Sequence, residues 1–258
     1  MNFDESIDLY DQESFTNIKK METDTYLQKL SQDWIDRSLQ HRYVFNWKWL
    51  GKPIIQHPSD VVATQEIIFQ TKPTMIIETG IARGGSIIFN ASQLALLDIE
   101  KESKFDVLKS KRKVIGVDID IRNHNREAIE SDNLSPMISL VEGSSIDDTV
   151  IKKVENQIDK DDRVMVILDS DHTHEHVLRE LEAYSSFVSE GCFLIVQDTG
   201  IEFAPQENFD KKSWSKGNSP LTAMDDFLRK NDKFERVENI NSKLLITSSP
   251  KGYLRRKL

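Results

Sequence analysis

Hydrophobic and polar positions follow two different periods along most of this chain. From residue 60 onward, short apolar runs bounded by turn residues predict buried strands. Between these runs, apolar residues recur every three or four positions, which predicts amphipathic helices. The predicted strands are TMIIET (74–79), KVIGVDID (113–120), MISLVEGSS (137–145), RVMVILDSD (163–171) and GCFLIVQDT (191–199), and FERVEN (234–239) with SKLLITSS (242–249) predicts a final strand pair.

The alternation of strands and helices predicts the fold class. A chain that reads strand, helix, strand, helix forms a mostly parallel sheet with helices on both faces. We therefore expect an α/β, Rossmann-like domain over residues 60–258. Its first helix should begin at a Ser/Asp cap in SDVVATQEIIFQT (59–71).

Residues 1–59 have a different character and are predicted to form an N-terminal helical segment or lid. Residues 13–40 have helical spacing and predict one or two helices. The run YVFNWKWLGKPIIQHPSD (43–60) predicts an ordered, aromatic-rich loop, which belongs either to the core or to a lid or dimer surface.

Charge and cysteine content narrow the class of protein. The chain has 43 acidic and 34 basic residues and a formal net charge of −9, which argues against a nucleic-acid-binding protein. The basic clusters KSKRK (109–113) and YLRRKL (253–258) predict solvated surface or contact with an acidic partner or membrane surface. No apolar run is long enough to span a bilayer, and the acidic N-terminus does not resemble a signal peptide. Cys192 lies in an apolar run and predicts a buried, inert thiol in a cytoplasmic protein.

Polar or acidic residues follow each of the five predicted parallel strands. Ligands in open α/β sheets bind at the carboxyl ends of the strands, so these residues should converge on one edge. In chain order they are Glu78-Thr79-Gly80, Asp118-Ile119-Asp120, Glu142-Gly143-Ser144-Ser145, Asp169-Ser170-Asp171-His172 and Gln197-Asp198.

The first of these turns, GIARGG, contains Gly80, Gly84 and Gly85. Glycines permit positive φ and close approach of a ligand, although a tight strand-to-helix turn would need them as well. Glu78 would repel a pyrophosphate and attract a cationic ligand such as S-adenosylmethionine. Asp118 could accept hydrogen bonds from the ribose of either this cofactor or NAD.

The ends of the fourth and fifth strands predict a cation site. Asp169, Asp171, Gln197 and Asp198 offer oxygen ligands that suit Mg²⁺. Helix capping by Asp171 or Thr173 is the alternative, and it leaves Asp169 and Asp198 unexplained.

Three histidines follow the fourth strand. His172 and His176 would share a helix face, but the H-E-x-x-H pattern of a zinc site is absent. His172 stands beside the carboxylates and is a candidate general base or substrate ligand. His174 and His176 are predicted to be surface or helix-packing residues.

Several motifs in order resemble the cephalosporin hydroxylase family. They are IIETGIARGGSIIFNAS, VIGVDIDIRNHNREAI, LVEGSSID, LDSDHTHEHVLRELEAYS and GCFLIVQDT, and the likeness covers residues 43–256. The resemblance implies a class I S-adenosylmethionine-dependent methyltransferase fold. It also implies similarity to macrolide and rhamnosyl sugar O-methyltransferases, many of which depend on Mg²⁺.

The resemblance also implies roles for individual residues. The methionine part of the cofactor would lie against Glu78, Gly80, Gly84, Gly85 and Ser86, the ribose against Asp118, and the adenine near Gly143, Ser144 and Ser145. Asp169 and Asp198 match metal-ligand positions, and the general base falls at Asp171 or His172. Related enzymes usually have a carboxylate at Gln197; an amide oxygen binds Mg²⁺ less strongly, so metal dependence is left open.

These observations predict an O-methyltransferase that acts on a hydroxyl of a sugar or another small polar acceptor. A nicotinamide-dependent oxidoreductase and an inactive cofactor-binding protein are the alternatives. Specificity would lie in the N-terminal segment and in residues 200–220, where Phe203 and Trp214 either stack on the acceptor or anchor the loop. A homo-oligomer is also left open.

Overall fold

A computed structural model describes residues 3–101, 104–209 and 211–258. Its centre is a seven-stranded sheet whose strands lie side by side in the order β5 (Ile138–Glu142), β4 (Lys113–Asp118), β3 (Met75–Thr79), β6 (Val164–Leu168), β7 (Phe193–Val196), β9 (Tyr253–Arg256) and β8 (Phe234–Arg236). The first five are parallel to one another, and β9 runs antiparallel to both β7 and β8. The predicted α/β, Rossmann-like fold is confirmed.

Helices lie on both faces of this sheet. Every residue of β3, β6 and β7 is buried, as expected for parallel strands covered on two sides. The helices are α1 (Phe3–Thr23), α2 (Thr25–Leu39), α3 (Pro58–Thr71), α4 (Gly85–Lys101), α5 (Asn123–Glu130), α6 (Asp148–Glu155), α7 (His174–Tyr184), α8 (Pro220–Lys230) and α9 (Glu238–Lys243).

The aromatic-rich run after α2 forms a hairpin in addition to the predicted loop. Strand β1 (Trp47–Trp49) pairs antiparallel with β2 (Lys52–Ile54). The hairpin packs on α4, where the Trp49 ring meets Phe89 edge-on at 4.9 Å and its Nε1 donates to Ser92 Oγ at 3.0 Å. These contacts place the N-terminal segment against the helix that follows the glycine turn. The division of the chain into residues 1–59 and 60–258 stays a prediction.

The predicted start of α3 is wrong. Pro58 is the first helical residue and His57 is the N-cap, while Ser59 and Asp60 lie inside the helix. Asp60 is fully buried and its Oδ2 accepts a hydrogen bond from Ser248 N at 2.9 Å. The acidic side chain therefore binds a distant loop instead of capping its own helix.

The predicted final strand pair is half wrong. FERVEN supplies β8, but the SKLLITSS run contributes the end of α9 and an irregular loop. Backbone groups of this loop bond to side chains of α3, since Ser59 Oγ donates to the Ile246 carbonyl and Ser248 N donates to Asp60. The last strand is Tyr253–Arg256, four residues after that run.

The two basic clusters, residues 109–113 and 253–258, are only partly exposed to solvent. Tyr253 and Leu254 are fully buried because β9 lies between β7 and β8. Arg112 is 4% exposed, and its Nε donates to Asp98 Oδ1 at 2.8 Å. Cys192 is a buried free thiol, as predicted.

Candidate functional site

The turn after β3 needs glycine for two reasons. Gly80 and Gly84 have φ angles of +80° and +82°, which side chains rarely adopt. A Cβ atom on Gly80 would lie 2.0 Å from the Asp169 carbonyl oxygen, and one on Gly84 would lie 2.6 Å from Ile129 Cγ1. The turn is therefore tight, and it holds the end of β3 directly against the end of β6.

Glu78 is the buried acid of this turn. Its Oε2 accepts from Asn90 Nδ2 at 2.7 Å, and its Oε1 accepts from the Ser86 hydroxyl. Burial raises the pKa of Glu78 to about 7, and the nearby charge of Asp118 adds to this, while the two hydrogen bonds oppose it. The carboxyl group is therefore poised to ionise near neutral pH when a cation approaches.

Asp118 ends β4 and shapes the same turn. Its Oδ2 accepts from the backbone nitrogens of Ile81 at 3.0 Å and Ala82 at 3.2 Å. Its Oδ1 accepts from Asp120 N at 3.1 Å. The half-buried carboxylate thus lies beside the glycine turn, where the sequence predicted it.

The turn after β5 leads into a polar network. Gly143 has φ +141°, and a Cβ there would lie 2.5 Å from Val150 Cγ2. Ser144 is half-buried, and the Ser145 Oγ lies 3.0 Å from His176 Nε2. His176 is thus bound within the fold, in agreement with its predicted packing role.

Glu180 belongs to this network and was missed by the sequence analysis. Its side chain is fully buried, its Oε1 accepts from Ser170 Oγ at 2.7 Å, and its Oε2 has no partner among the described residues. Its position four residues after His176 on one helix was an available signal.

Asp169, His172 and Asp198 come together at the ends of β6 and β7. One ligand atom from each lies within 4.8 Å of the others, and His172 Nε2 is 3.1 Å from Asp198 Oδ2. Burial holds the pKa of Asp169 well above its usual range, and repulsion from Asp198 and Glu78 raises it further. A divalent cation would relieve this repulsion, so Asp169 and Asp198 fit a metal site.

Gln197 and Asp171 are engaged by neighbouring residues. Gln197 is buried, and its Oε1 accepts a hydrogen bond from the Ser249 hydroxyl. The Nε2 of Gln197 has no hydrogen-bond partner in the described part of the chain. Asp171 Oδ1 accepts from Thr173 N at 2.8 Å. Partial burial opposes ionisation of Asp171, but the bonds from Thr173 outweigh it and lower the pKa of Asp171. Their predicted roles as metal ligand and base stay predictions.

Two groups of aromatic rings lie near this cluster. The Trp214 ring meets His172 edge-on with centroids 4.8 Å apart. His57, 2% exposed, stacks on Tyr43 with centroids 5.9 Å apart. Burial lowers the pKa of His57, and the charge of Asp198 partly offsets this. The sequence analysis missed His57, because a histidine beside a proline carries no pattern of its own.

The fold is the class I, Rossmann-like methyltransferase fold. Its marks are the strand order of the sheet, the glycine turn after β3 and the acidic residue at the end of β4. The family model described as Rhamnosyl O-methyltransferase/CmcI matches residues 41–257, and the chain belongs to that family. The predicted family resemblance is confirmed.

Curated relatives are similar over part of their length. A protein named Rhamnosyl O-methyltransferase from Mycobacterium tuberculosis is 28% identical over 148 residues, which is 57% of this chain and 54% of the relative. The protein of the same name from Mycobacterium leprae is 27% identical over 160 residues, 61% of this chain and 62% of the relative. The chain thus matches little more than half the length of these relatives.

Solved structures share the fold. CmcI with Mg and S-adenosylmethionine aligns with a TM-score of 0.54 at 18% identity, covering 83% of this chain and 78% of that one. An O-methyltransferase from Bacillus cereus in complex with S-adenosylhomocysteine aligns with a TM-score of 0.52 at 13% identity, covering 85% of this chain and 91% of that one.

None of the described helices is both long and apolar enough to cross a bilayer.

Proposed function

We propose that this chain is an S-adenosylmethionine-dependent O-methyltransferase that acts on a hydroxyl group of a sugar or a small polar acceptor. One observation supports this proposal most strongly. In this chain, which belongs to the family, the acidic cluster of Asp169 and Asp198 suits a cation and lies directly beside the glycine turn. Asp169 N donates to the Thr79 carbonyl at 2.9 Å, so the two features share one edge of the sheet. The curated relatives named for rhamnosyl methylation support a saccharide acceptor.

The cofactor would lie along the glycine turn. Glu78 would attract its ammonium group, with Gly80, Gly84, Gly85 and Ser86 around the methionine part. Asp118 would accept from the ribose hydroxyls, and Gly143, Ser144 and Ser145 would border the adenine. The burial of Glu78 supports this arrangement, because a buried acid gains most from a cationic partner.

The chemistry is an in-line displacement at the methyl carbon. The acceptor oxygen forms a bond to that carbon while the carbon–sulfur bond breaks and its electron pair stays on sulfur. Asp171 or His172 takes the hydroxyl proton, and the chain supplies alignment of oxygen and sulfonium. A cation held by Asp169 and Asp198 would lower the pKa of the acceptor hydroxyl. The sequence predicts Gln197 as the third ligand, and His172 is the competing candidate for that place.

Three further features of the chain support what we propose about its partner, its cellular location and its oligomeric state. The excess of acidic residues favours a saccharide over a nucleic acid as partner. The buried free thiol of Cys192 is consistent with a reducing, cytoplasmic setting. The mostly exposed α1 helix leaves room for a homo-oligomer.

A transfer assay tests the function. The full chain is incubated with methyl-labelled S-adenosylmethionine, a divalent cation and a panel of rhamnosides and other pyranosides. We expect label in at least one saccharide and an equal amount of S-adenosylhomocysteine. Cofactor binding without transfer to any sugar would contradict a sugar methyltransferase and favour the inactive cofactor-binding alternative.

A further inference from the structure

We propose that the cation site formed by Asp169 and Asp198 takes His172 as its third protein ligand and prefers a first-row transition metal ion such as Mn²⁺ or Co²⁺ to Mg²⁺. The inference rests on the proposed function only for the presence of a cation at this edge of the sheet. It concerns which ion is bound and by which atoms.

The first argument is the donor set. Two carboxylate oxygens and one imidazole nitrogen lie within 4.8 Å of one another, which is close enough for one ion to contact all three. Mg²⁺ is a hard ion that takes oxygen ligands and keeps several waters. Imidazole suits the softer first-row ions, and affinity for such mixed sites rises from Mn²⁺ towards Cu²⁺.

The second argument is the position of Gln197. The family resemblance expects a carboxylate here, but this chain has a neutral amide whose oxygen accepts the Ser249 hydroxyl. The site therefore lacks the negative charge that a third carboxylate would offer to Mg²⁺. Among the described residues, the His172 nitrogen lies with the two carboxylates and completes a set of three protein donors.

The third argument is the orientation of His172. Its Nε2 points at Asp198 Oδ2 from 3.1 Å, and the Trp214 ring rests edge-on against the imidazole. The side chain is 15% exposed, so the ring has little freedom to turn away. The nitrogen therefore already lies with the two carboxylates, within reach of an ion that both of them would contact. Asp171 then remains as the base for the acceptor hydroxyl.

Pulsed electron paramagnetic resonance of the Mn²⁺-loaded protein tests the ligand directly. A coordinated imidazole couples its nitrogen-14 nucleus to the Mn²⁺ electron spin, and we expect this coupling in the wild-type chain. His172→Asn should abolish it and weaken Mn²⁺ binding about tenfold or more, with circular dichroism confirming the fold. His124→Asn, on the exposed face of α5, is the matched control and should change neither.

Calorimetric titrations with Mn²⁺ and Mg²⁺ test the role of Gln197. Gln197→Glu should raise Mg²⁺ affinity about tenfold, whereas Gln197→Leu should leave Mn²⁺ affinity unchanged. Absence of Mn²⁺ binding, binding without nitrogen coupling, or loss of affinity in Gln197→Leu would overturn the proposal. Titration with S-adenosylhomocysteine in EDTA is run in parallel, so that failure of the metal proposal is distinguished from failure of the proposed function.

Discussion

Gly85 packs directly against the backbone of Pro53, so that a Cβ atom added at Gly85 would lie 2.2 Å from the Pro53 carbonyl oxygen. This contact joins the first residue of α4 to the second strand of the N-terminal hairpin. The cofactor turn and the N-terminal segment are thus fitted to each other.

Gly85→Ala should therefore displace the hairpin. Alanine favours a helix by about 1 kcal/mol over glycine, but overpacking against backbone costs about 1–3 kcal/mol, so the free energy of unfolding should fall. Urea denaturation measures the loss, and tryptophan fluorescence, to which Trp47 and Trp49 of the hairpin contribute, should report the altered hairpin. A variant as stable as the wild type, with unchanged fluorescence, would contradict the contact.

Glu78 should make stability depend on pH. Burial raises its pKa from 4.5 to about 7, so the folded chain holds this proton more tightly than the unfolded chain. Stability should therefore fall as pH rises from about 4.5 to about 7, by about 3 kcal/mol from this group. Denaturation of Glu78→Gln across this range should show a flatter profile than wild type, while Asp120→Asn, an exposed acid nearby, should keep the wild-type slope.

The same group should make cofactor binding depend on pH in the opposite sense. An ammonium group is attracted to the ionised form of Glu78, so affinity for S-adenosylhomocysteine should rise about tenfold from pH 6 to pH 8 and then level off. Titration calorimetry at several pH values measures this, and Glu78→Gln should bind weakly with little pH dependence. Equal affinity at pH 6 and pH 8 in the wild type would show that Glu78 does not meet the ammonium group.

Asp169→Asn should separate chemistry from cofactor binding. Loss of one carboxylate from the cluster removes a cation ligand, and turnover should fall by about 100-fold or more. S-adenosylhomocysteine affinity in EDTA should stay within about twofold of wild type, because Asp169 is not among the residues assigned to the cofactor. Activity that survives this substitution would rule out a mechanism in which a cation held by Asp169 activates the acceptor hydroxyl.

Trp214→Ala should affect the acceptor and not the cofactor. The indole lies edge-on against His172 in the 200–220 loop and offers a flat apolar surface beside the cluster. We expect the acceptor KM to rise about tenfold while kcat changes less. Phe203→Ala is the matched control, since that ring is 44% exposed beneath Lys251, and it should leave KM unchanged.

The strands of the sheet could be predicted because each is marked by a local pattern in the sequence. Runs such as Val164–Leu168 are apolar throughout, and the acid or glycine after each run marks where the strand stops. The convergence of Asp169 and Asp198 then follows from the parallel order alone.

Features that depend on distant contacts could not be predicted. Asp60 resembles a helix cap in sequence, and only the Ser248 loop reveals its buried role. The orientation of Gln197 depends on Ser249, which lies 52 positions away in the chain. The position of His57 near Asp198 depends on how the N-terminal segment docks.

We propose above all that the edge formed by Glu78, Asp118 and Gly143 binds S-adenosylmethionine and its product. Calorimetric titration of the full chain with S-adenosylhomocysteine, first with a divalent cation and then with EDTA, tests it most directly. We expect binding at one site per chain in both conditions, because the cofactor residues are distinct from the cation ligands. Absence of binding in both conditions would contradict the proposed cofactor site and direct the search to NAD(H).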